Sequence, residues 1–75
     1  MLVVSKGDRL VWYRAGNEDL VTVLEVRTLE GGQQKAHLKV DGWVSDGGWE
    51  VIDYRFITVE EYKRRKEAEK ATKKA

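Results

Sequence analysis

Apolar and polar residues alternate along much of residues 8–58, in short segments separated by glycine-containing turns. In the segment 34–40, three apolar side chains point to one side of an extended chain and three basic ones to the other: Ala36, Leu38 and Val40 against Lys35, His37 and Lys39. This period of two is typical of a strand with one buried face. The pattern predicts five strands, over residues 8–14, 20–28, 34–40, 49–53 and 56–58.

The second of these strands and the lack of a covering element predict the shape of the sheet. Residues 20–26 are almost continuously apolar, which indicates a central strand that is bent or bulged. Five short strands with one apolar face leave that face in water if the sheet is flat. We therefore predict a mainly β fold, a five-stranded small barrel with Leu10 and Trp12 directed into its core.

A change of period after residue 57 predicts a helix. Thr58-Val59-Glu60-Glu61 is a capping-box sequence, in which the Thr hydroxyl and the second Glu carboxylate satisfy free backbone N–H groups. The helix is expected to run from Val59 towards Lys74, because its acidic first turn and lysine-rich end suit the helix dipole. The prediction is a barrel over 1–58 followed by a basic helix over 59–75.

Three stretches of the chain resemble the SH3-like small barrels, including the KOW and Tudor-type domains: 6–12 (KGDRLVW), 22–26 (TVLEV) and 40–42 (VDG). A barrel followed by a Lys/Glu/Ala-rich helix is also similar to small actinobacterial proteins of unknown function. The resemblance implies a five-stranded SH3-like small barrel with a C-terminal α-helix. It implies a binding role and no single activity, because such folds serve many purposes.

Composition narrows the class of protein. Seventy-five residues allow one domain, and the absence of cysteine excludes a disulfide framework and a thiolate metal site. No apolar run approaches the ~18 residues of a membrane span, and the first residues lack the features of a signal peptide. We expect a soluble, cytoplasmic protein with no membrane partner.

Charge is distributed unevenly along the chain. Residues 1–58 carry seven Lys or Arg against nine Asp or Glu, a formal charge of −2, whereas residues 59–75 carry seven against four, a formal charge of +3. The predicted helix is therefore the basic part of a mildly acidic protein. Such a division bears on partners and not on the fold.

The sequence carries no pattern that indicates catalysis or a bound cofactor. His37 is the only histidine, so a catalytic nucleophile would have at most one histidine as its general base. The carboxylates lack the spacing of a calcium loop, and neither Gly31-Gly32 nor Gly47-Gly48 precedes the Lys-Ser/Thr pair of a phosphate-binding loop. We expect a non-enzymatic binding module with no catalytic residue, metal, cofactor or small-molecule substrate.

Two basic surfaces make nucleic acid the first candidate partner. The outward side of the third strand carries Lys35, His37 and Lys39, with Tyr13 and Arg27 expected nearby; basic and aromatic strands of this kind bind single-stranded nucleic acid. One side of the helix carries the second set: Lys63, Lys66, Lys70 and Lys73. That side begins with Val59 and Tyr62, so the alternative is a helix docked on the barrel with its lysines over the acidic body or in solvent.

The tryptophans of DGWVSDGGWEV, residues 41–51, make protein interaction the second candidate. Trp43 and Trp49 flank a turn and are expected to pair across it. The alternative is an aromatic cage for a cation, built from these two rings with Tyr54 and Phe56. A protein-interaction or regulatory accessory factor, of the size encoded by viruses and mobile elements, would use Trp43, Trp49, Tyr54, Tyr62 and the helix, or form a homodimer through the helix or an edge strand.

Overall fold

A computed structural model describes residues 2–74, with side chains described for residues 2–70. Its elements are β1 (Arg9–Arg14), β2 (Asn17–Thr28), a 3-10 turn (Glu30–Gly32), β3 (Gln34–Val40), β4 (Gly48–Val51), β5 (Phe56–Thr58) and α1 (Val59–Lys74). The prediction of a mainly β fold with five strands and a C-terminal helix is confirmed. The bounds predicted for β3 and β5 match, whereas β2 begins three residues earlier than predicted, at Asn17.

The strands form one antiparallel sheet in the order β4-β3-β2-β1-β5. This order leaves β4 and β5 as the two edges, so a closed barrel is not confirmed. The 12-residue β2 pairs with both β1 and β3. Its register against β3 shifts between Val23 and Glu25, as expected for the predicted bulge.

The main core lies on one side of the sheet, because alternate residues of neighbouring strands point there. Its members are at most 4 % exposed: Val4, Leu10, Trp12, Val21, Val23, Ala36, Leu38, Val40, Ile52 and Phe56. The Trp12 and Phe56 rings stack with their centroids 5.5 Å apart. Burying each large side chain of this kind is worth roughly 1.5–3 kcal/mol, so this cluster is the main source of stability.

The first turns of α1 cover the opposite side of β1 and β5. Val11 and Ile57, which alternate with core residues, are 2 % and 8 % exposed, and α1 packs against both strands. The backbone N–H of Glu61 donates to the Thr58 hydroxyl at 3.1 Å, so this half of the predicted capping box is confirmed. The Glu61 carboxylate contacts Arg64 and Arg65 instead of the helix start.

A side-chain amide ties the N-terminal segment to β3. The Val4 N–H donates to Gln34 Oε1 at 2.8 Å, and Gln34 Nε2 donates to the Val4 carbonyl at 2.9 Å. This pair of bonds satisfies both polar groups of the Val4 backbone, whose side chain is buried. Residues ahead of the first strand therefore complete the core.

Candidate nucleic-acid interface

The outward side of β3 meets a tryptophan of β4. His37 points away from the core because it alternates with the buried Ala36 and Leu38, and its cross-strand partner in β4 is Trp49. The imidazole and the indole stack, with centroids 5.2 Å apart and planes 16° from parallel. Both residues are partly exposed, so this stacked pair, which we call the platform, presents aromatic surface to solvent.

Three cations surround this platform. The Arg27 guanidinium lies 4.8 Å from the centroid of the Trp49 ring, and Arg27 is directly opposite Lys35 across the β2–β3 pair. Lys39 follows His37 on the same side of β3. We call this surface the strand face and define it by five residues: Arg27, Lys35, His37, Lys39 and Trp49. The sequence predicts Lys35, His37, Lys39 and Arg27 on one surface. It predicts Trp49 in a different place, paired with Trp43 across a turn.

Acidic groups border the strand face and reduce its charge. Glu25 is the cross-strand partner of His37, and Asp46 Oδ2 lies 3.1 Å from His37 Nε2. The Gly48 N–H, which donates to Asp46 at 3.0 Å, and His37 lower the pKa of the Asp46 carboxyl. Arg9 adds little charge here, because its guanidinium is bound to Asp41 at 2.7 Å.

The lysines of α1 do not form one uninterrupted cationic strip. Lys66 Nζ lies 3.5 Å from Glu18 Oε1 and 5.4 Å from the centroid of the Tyr62 ring, and the Glu18 charge raises the pKa of Lys66. Lys63 and Lys70 are exposed. The side chain of Lys73 lies outside the described residues.

Tyr62 joins the helix to the sheet. Its hydroxyl donates to Glu18 Oε2 at 2.5 Å, a bond that raises the pKa of Tyr62 and lowers that of Glu18. Its ring also lies 6.4 Å from that of Tyr13, centroid to centroid. Tyr13 therefore belongs to the helix contact and not to the strand face, where it was expected. The docked-helix alternative holds for these turns of α1, because Tyr62 and Lys66 both contact the sheet.

Trp43 has a different environment from Trp49, in place of the expected pair across the turn. Trp43 lies on the loop 41–47 and is 37 % exposed. The Arg14 guanidinium lies 4.6 Å from its ring centroid and 4.6 Å from that of Trp12. The physical reason lies at the end of the loop, where the Gly47 N–H donates to the Leu38 carbonyl at 2.7 Å. This bond starts β4 at Gly48 opposite Leu38 and pairs Trp49 with His37.

The rings proposed for an aromatic cage also lie in different parts of the protein. Phe56 is 2 % exposed and stacks on Trp12 in the core. Tyr54 is 90 % exposed on the turn between β4 and β5. The cage is therefore wrong as a set of four rings, since its predicted members contact different parts of the protein.

No family model, curated protein or solved structure matches the chain. Among residues 2–74, no helix has the length and hydrophobicity needed to cross a membrane. In the same part of the chain, no group of three or more His, Asp or Glu side chains is arranged to hold a metal ion.

Proposed function

We propose that this chain is a small, non-enzymatic binding module that binds nucleic acid through the strand face. The observation that carries this proposal is the stacked His37–Trp49 pair with Arg27, Lys35 and Lys39 around it. A base stacked on an aromatic side chain contributes roughly 1–3 kcal/mol and needs no particular sequence. The three cations supply phosphate contacts, whose strength falls as salt rises.

We infer that single strands are preferred to duplexes. An unpaired base presents a free ring face that can stack against an aromatic side chain, whereas bases inside a duplex are already stacked on one another. Lys63 and Lys70 on α1 give further phosphate contacts at a distance from the platform. The acids Glu25 and Asp46 keep the affinity modest, because they repel the same phosphates.

We further propose that the sheet is an SH3-like small barrel of the KOW and Tudor type. Support comes from the long, bulged β2, which pairs with strands on both of its sides. Core residues from β1, β2, β3 and β5 also pack into one cluster, as they do when a small sheet curls around its apolar side. Barrels of this size serve as binding modules with varied partners.

Fluorescence anisotropy with labelled single-stranded DNA, single-stranded RNA and duplexes, at low and high salt, tests the nucleic-acid proposal. We expect single strands to bind with a Kd of about 1–100 µM at low salt. Lys35→Glu/Lys39→Glu should weaken that binding at least about tenfold. Trp49→Ala should weaken it with little change in salt dependence, because it removes stacking and no charge.

The matched control is Lys6→Glu/Arg64→Glu, which makes the same change of charge at exposed residues outside the strand face. Its binding should stay within about threefold of the unmodified chain, since only long-range charge has changed. Equal losses in the two double variants would show that net charge, and not the strand face, governs binding. Absence of binding at about 1 mM protein and low salt would reject the proposal outright.

A further inference from the structure

The loop 41–47, which joins β3 to β4, contacts two residues of the strand face. Asp46 Oδ2 lies 3.1 Å from His37 Nε2, and the Trp43 carbonyl accepts a hydrogen bond from Lys39 Nζ at 2.8 Å. The Gly48 N–H, His37 and the nearby charge of Lys39 together lower the pKa of the Asp46 carboxyl. The loop thus places a carboxylate and a carbonyl oxygen on two of the groups that would bind phosphate.

The middle of this loop is held by weaker contacts than its ends. At the ends, the N–H groups of Asp41 and Gly47 donate to carbonyls of β2 and β3 at 2.9 Å and 2.7 Å. Between them, the Arg14 guanidinium lies 4.6 Å from the centroid of the Trp43 ring, and Asp46 lies against the strand face. Contacts between partly exposed charged and aromatic side chains are individually weak. The middle of the loop can therefore open while its ends and the sheet stay in place.

The loop and a phosphate group compete for the same atoms. A carboxylate and a phosphate accept hydrogen bonds from the same donors. A ring nitrogen carries at most one hydrogen, so His37 Nε2 can serve either Asp46 or a phosphate. A phosphate bound by Lys39 would also lie near the Asp46 charge, and like charges at short range repel each other. Both residues are therefore fully available to nucleic acid only when the loop is open.

We propose that the loop 41–47 is an internal competitor of nucleic acid: it occupies His37 and Lys39 when it is closed, and single strands bind most tightly when it is open. This inference rests on the proposed function and states how that same site is regulated. The measured Kd equals the Kd of the open form divided by the fraction of chains that are open. Any change that opens the loop therefore tightens binding, and bound nucleic acid favours the open loop in return.

Fluorescence anisotropy with labelled single strands tests the competition in variants that weaken the closed loop. Trp43→Ala removes the ring beside Arg14 without changing the charge, so it should lower the Kd about three- to tenfold. Val44→Ala, at a fully exposed position of the same loop, is the control and should stay within about twofold of the unmodified chain. Arg14→Ala should also lower the Kd, although the loss of a positive charge by itself weakens binding. Far-UV circular dichroism checks that each variant is folded.

Asp46→Asn tests the carboxylate itself. The new amide oxygen can still accept from the Gly48 N–H, so the turn is retained while the negative charge beside His37 is lost. The matched control is Glu25→Gln, which removes one negative charge from the cross-strand partner of His37 in β2. We expect the Kd of Asp46→Asn to be at least about threefold lower than that of Glu25→Gln, because only the first change opens the loop.

Chemical acetylation followed by mass spectrometry measures the loop without nucleic acid. Release of Lys39 Nζ from the Trp43 carbonyl should raise its acetylation rate at least about twofold in Trp43→Ala, whereas Lys35, on the same side of β3, should keep its rate. An unchanged Lys39 rate overturns the inference. So does single-strand binding by the unmodified chain that neither Trp43→Ala nor Arg14→Ala tightens, or that Asp46→Asn tightens no more than Glu25→Gln, and these results leave the proposed function intact. Absence of binding in every chain overturns both.

Discussion

The guanidinium of Arg14 lies 4.6 Å from the ring centroid of Trp43, a residue 29 positions later in the chain. The same group lies 4.6 Å from the buried Trp12 ring, and its Nε donates to Asp19 at 3.1 Å. Arg14 therefore connects the loop 41–47 to the end of the core. A cation over an aromatic ring stabilises by roughly 0.5–2 kcal/mol, depending on its exposure to water.

Replacing Arg14 should destabilise the fold and release Trp43. We expect Arg14→Ala to lower the free energy of unfolding by about 1–2 kcal/mol, since it removes both ring contacts and the Asp19 bond. Arg14→Lys should recover only part of this, because an ammonium does not stack as a planar guanidinium does. Urea denaturation gives the free energy, and a red shift of tryptophan emission in the folded state reports Trp43.

Arg64→Ala is the matched control for Arg14, because Arg64 is exposed on α1 with one ion pair to Glu61. It should change the free energy of unfolding by no more than about 0.5 kcal/mol. Equal effects of the two alanine substitutions would argue against a connecting role for Arg14.

Substitutions at Gln34 and at its neighbour Gln33 test how much the N-terminal segment depends on its hydrogen bonds to Gln34. Gln34→Ala removes both bonds to the Val4 backbone and should lower the free energy of unfolding by about 1–3 kcal/mol, because buried polar groups lose their partners. Gln33→Ala, at an exposed position, should cost less than about 0.5 kcal/mol. Thermal denaturation of the two variants measures the difference, and similar melting temperatures would contradict the prediction.

Gly47 is required by a close approach to the core. A Cβ at this position would lie 2.8 Å from Val40 Cγ2 and 3.4 Å from the Leu38 carbonyl oxygen, and Val40 is fully buried. We expect Gly47→Ala to lower the free energy of unfolding by about 1–3 kcal/mol. In a Val40→Ala background the same substitution should cost less, because the opposing methyl group is gone. Additive losses in the double-mutant cycle would exclude this contact as the cause.

The Glu18–Tyr62–Lys66 cluster should make attachment of α1 dependent on pH. The Tyr62 hydroxyl lowers the pKa of Glu18 from its ordinary value of 4.5, so the Glu18 contribution is present above that value and is lost as pH falls through the lower, folded-state pKa. The pKa values of Tyr62 and Lys66 are raised from 10.0 and 10.5. Their contributions are present below those values and are lost as pH rises through the folded-state pKa values.

A comparison with Glu18→Gln measures how much of the stability at acid pH depends on the Glu18 charge. The unmodified chain should have the higher melting temperature at neutral pH, and the difference should shrink below about pH 4.5 as Glu18 is protonated. Glu67→Gln, at an exposed position on α1, serves as the control for loss of one negative charge. A difference that stays constant from neutral to acid pH would mean that the Glu18 charge does not stabilise the helix contact.

Local patterns in the sequence were sufficient for most of the fold. Strict alternation in residues 34–40 gave β3, the apolar run of residues 20–26 gave the bulge in β2, and Thr58 gave the start of α1. These features depend on neighbouring residues, and their period or capping chemistry is visible in the chain itself. The same alternation placed Lys35, His37 and Lys39 on one side, so three of the five residues of the strand face were predictable from it.

The other features of the fold and of the strand face depend on contacts between segments that are distant in the sequence. In β4, Gly48 and Glu50 lie opposite the buried Leu38 and Ala36, so Trp49 faces outwards, against what its hydrophobicity predicts. The close approach of Gly47 to β3 fixes this register, and a one-residue shift would exchange the two sides. The partners of Trp43 and Trp49 follow from that register, which no local pattern reveals.

The inward position of Glu50 also affects how the protein behaves at high concentration. β4 is an edge of the sheet, and an edge strand invites sheet extension by another chain, the first step of fibrous aggregation. The edge strand β4 is only four residues long, and the Glu50 carboxylate lies on its inward side. It is therefore a poor template for that growth, because an added strand would bury the Glu50 charge. This edge is therefore protected against open-ended growth by backbone pairing even when chains are crowded together.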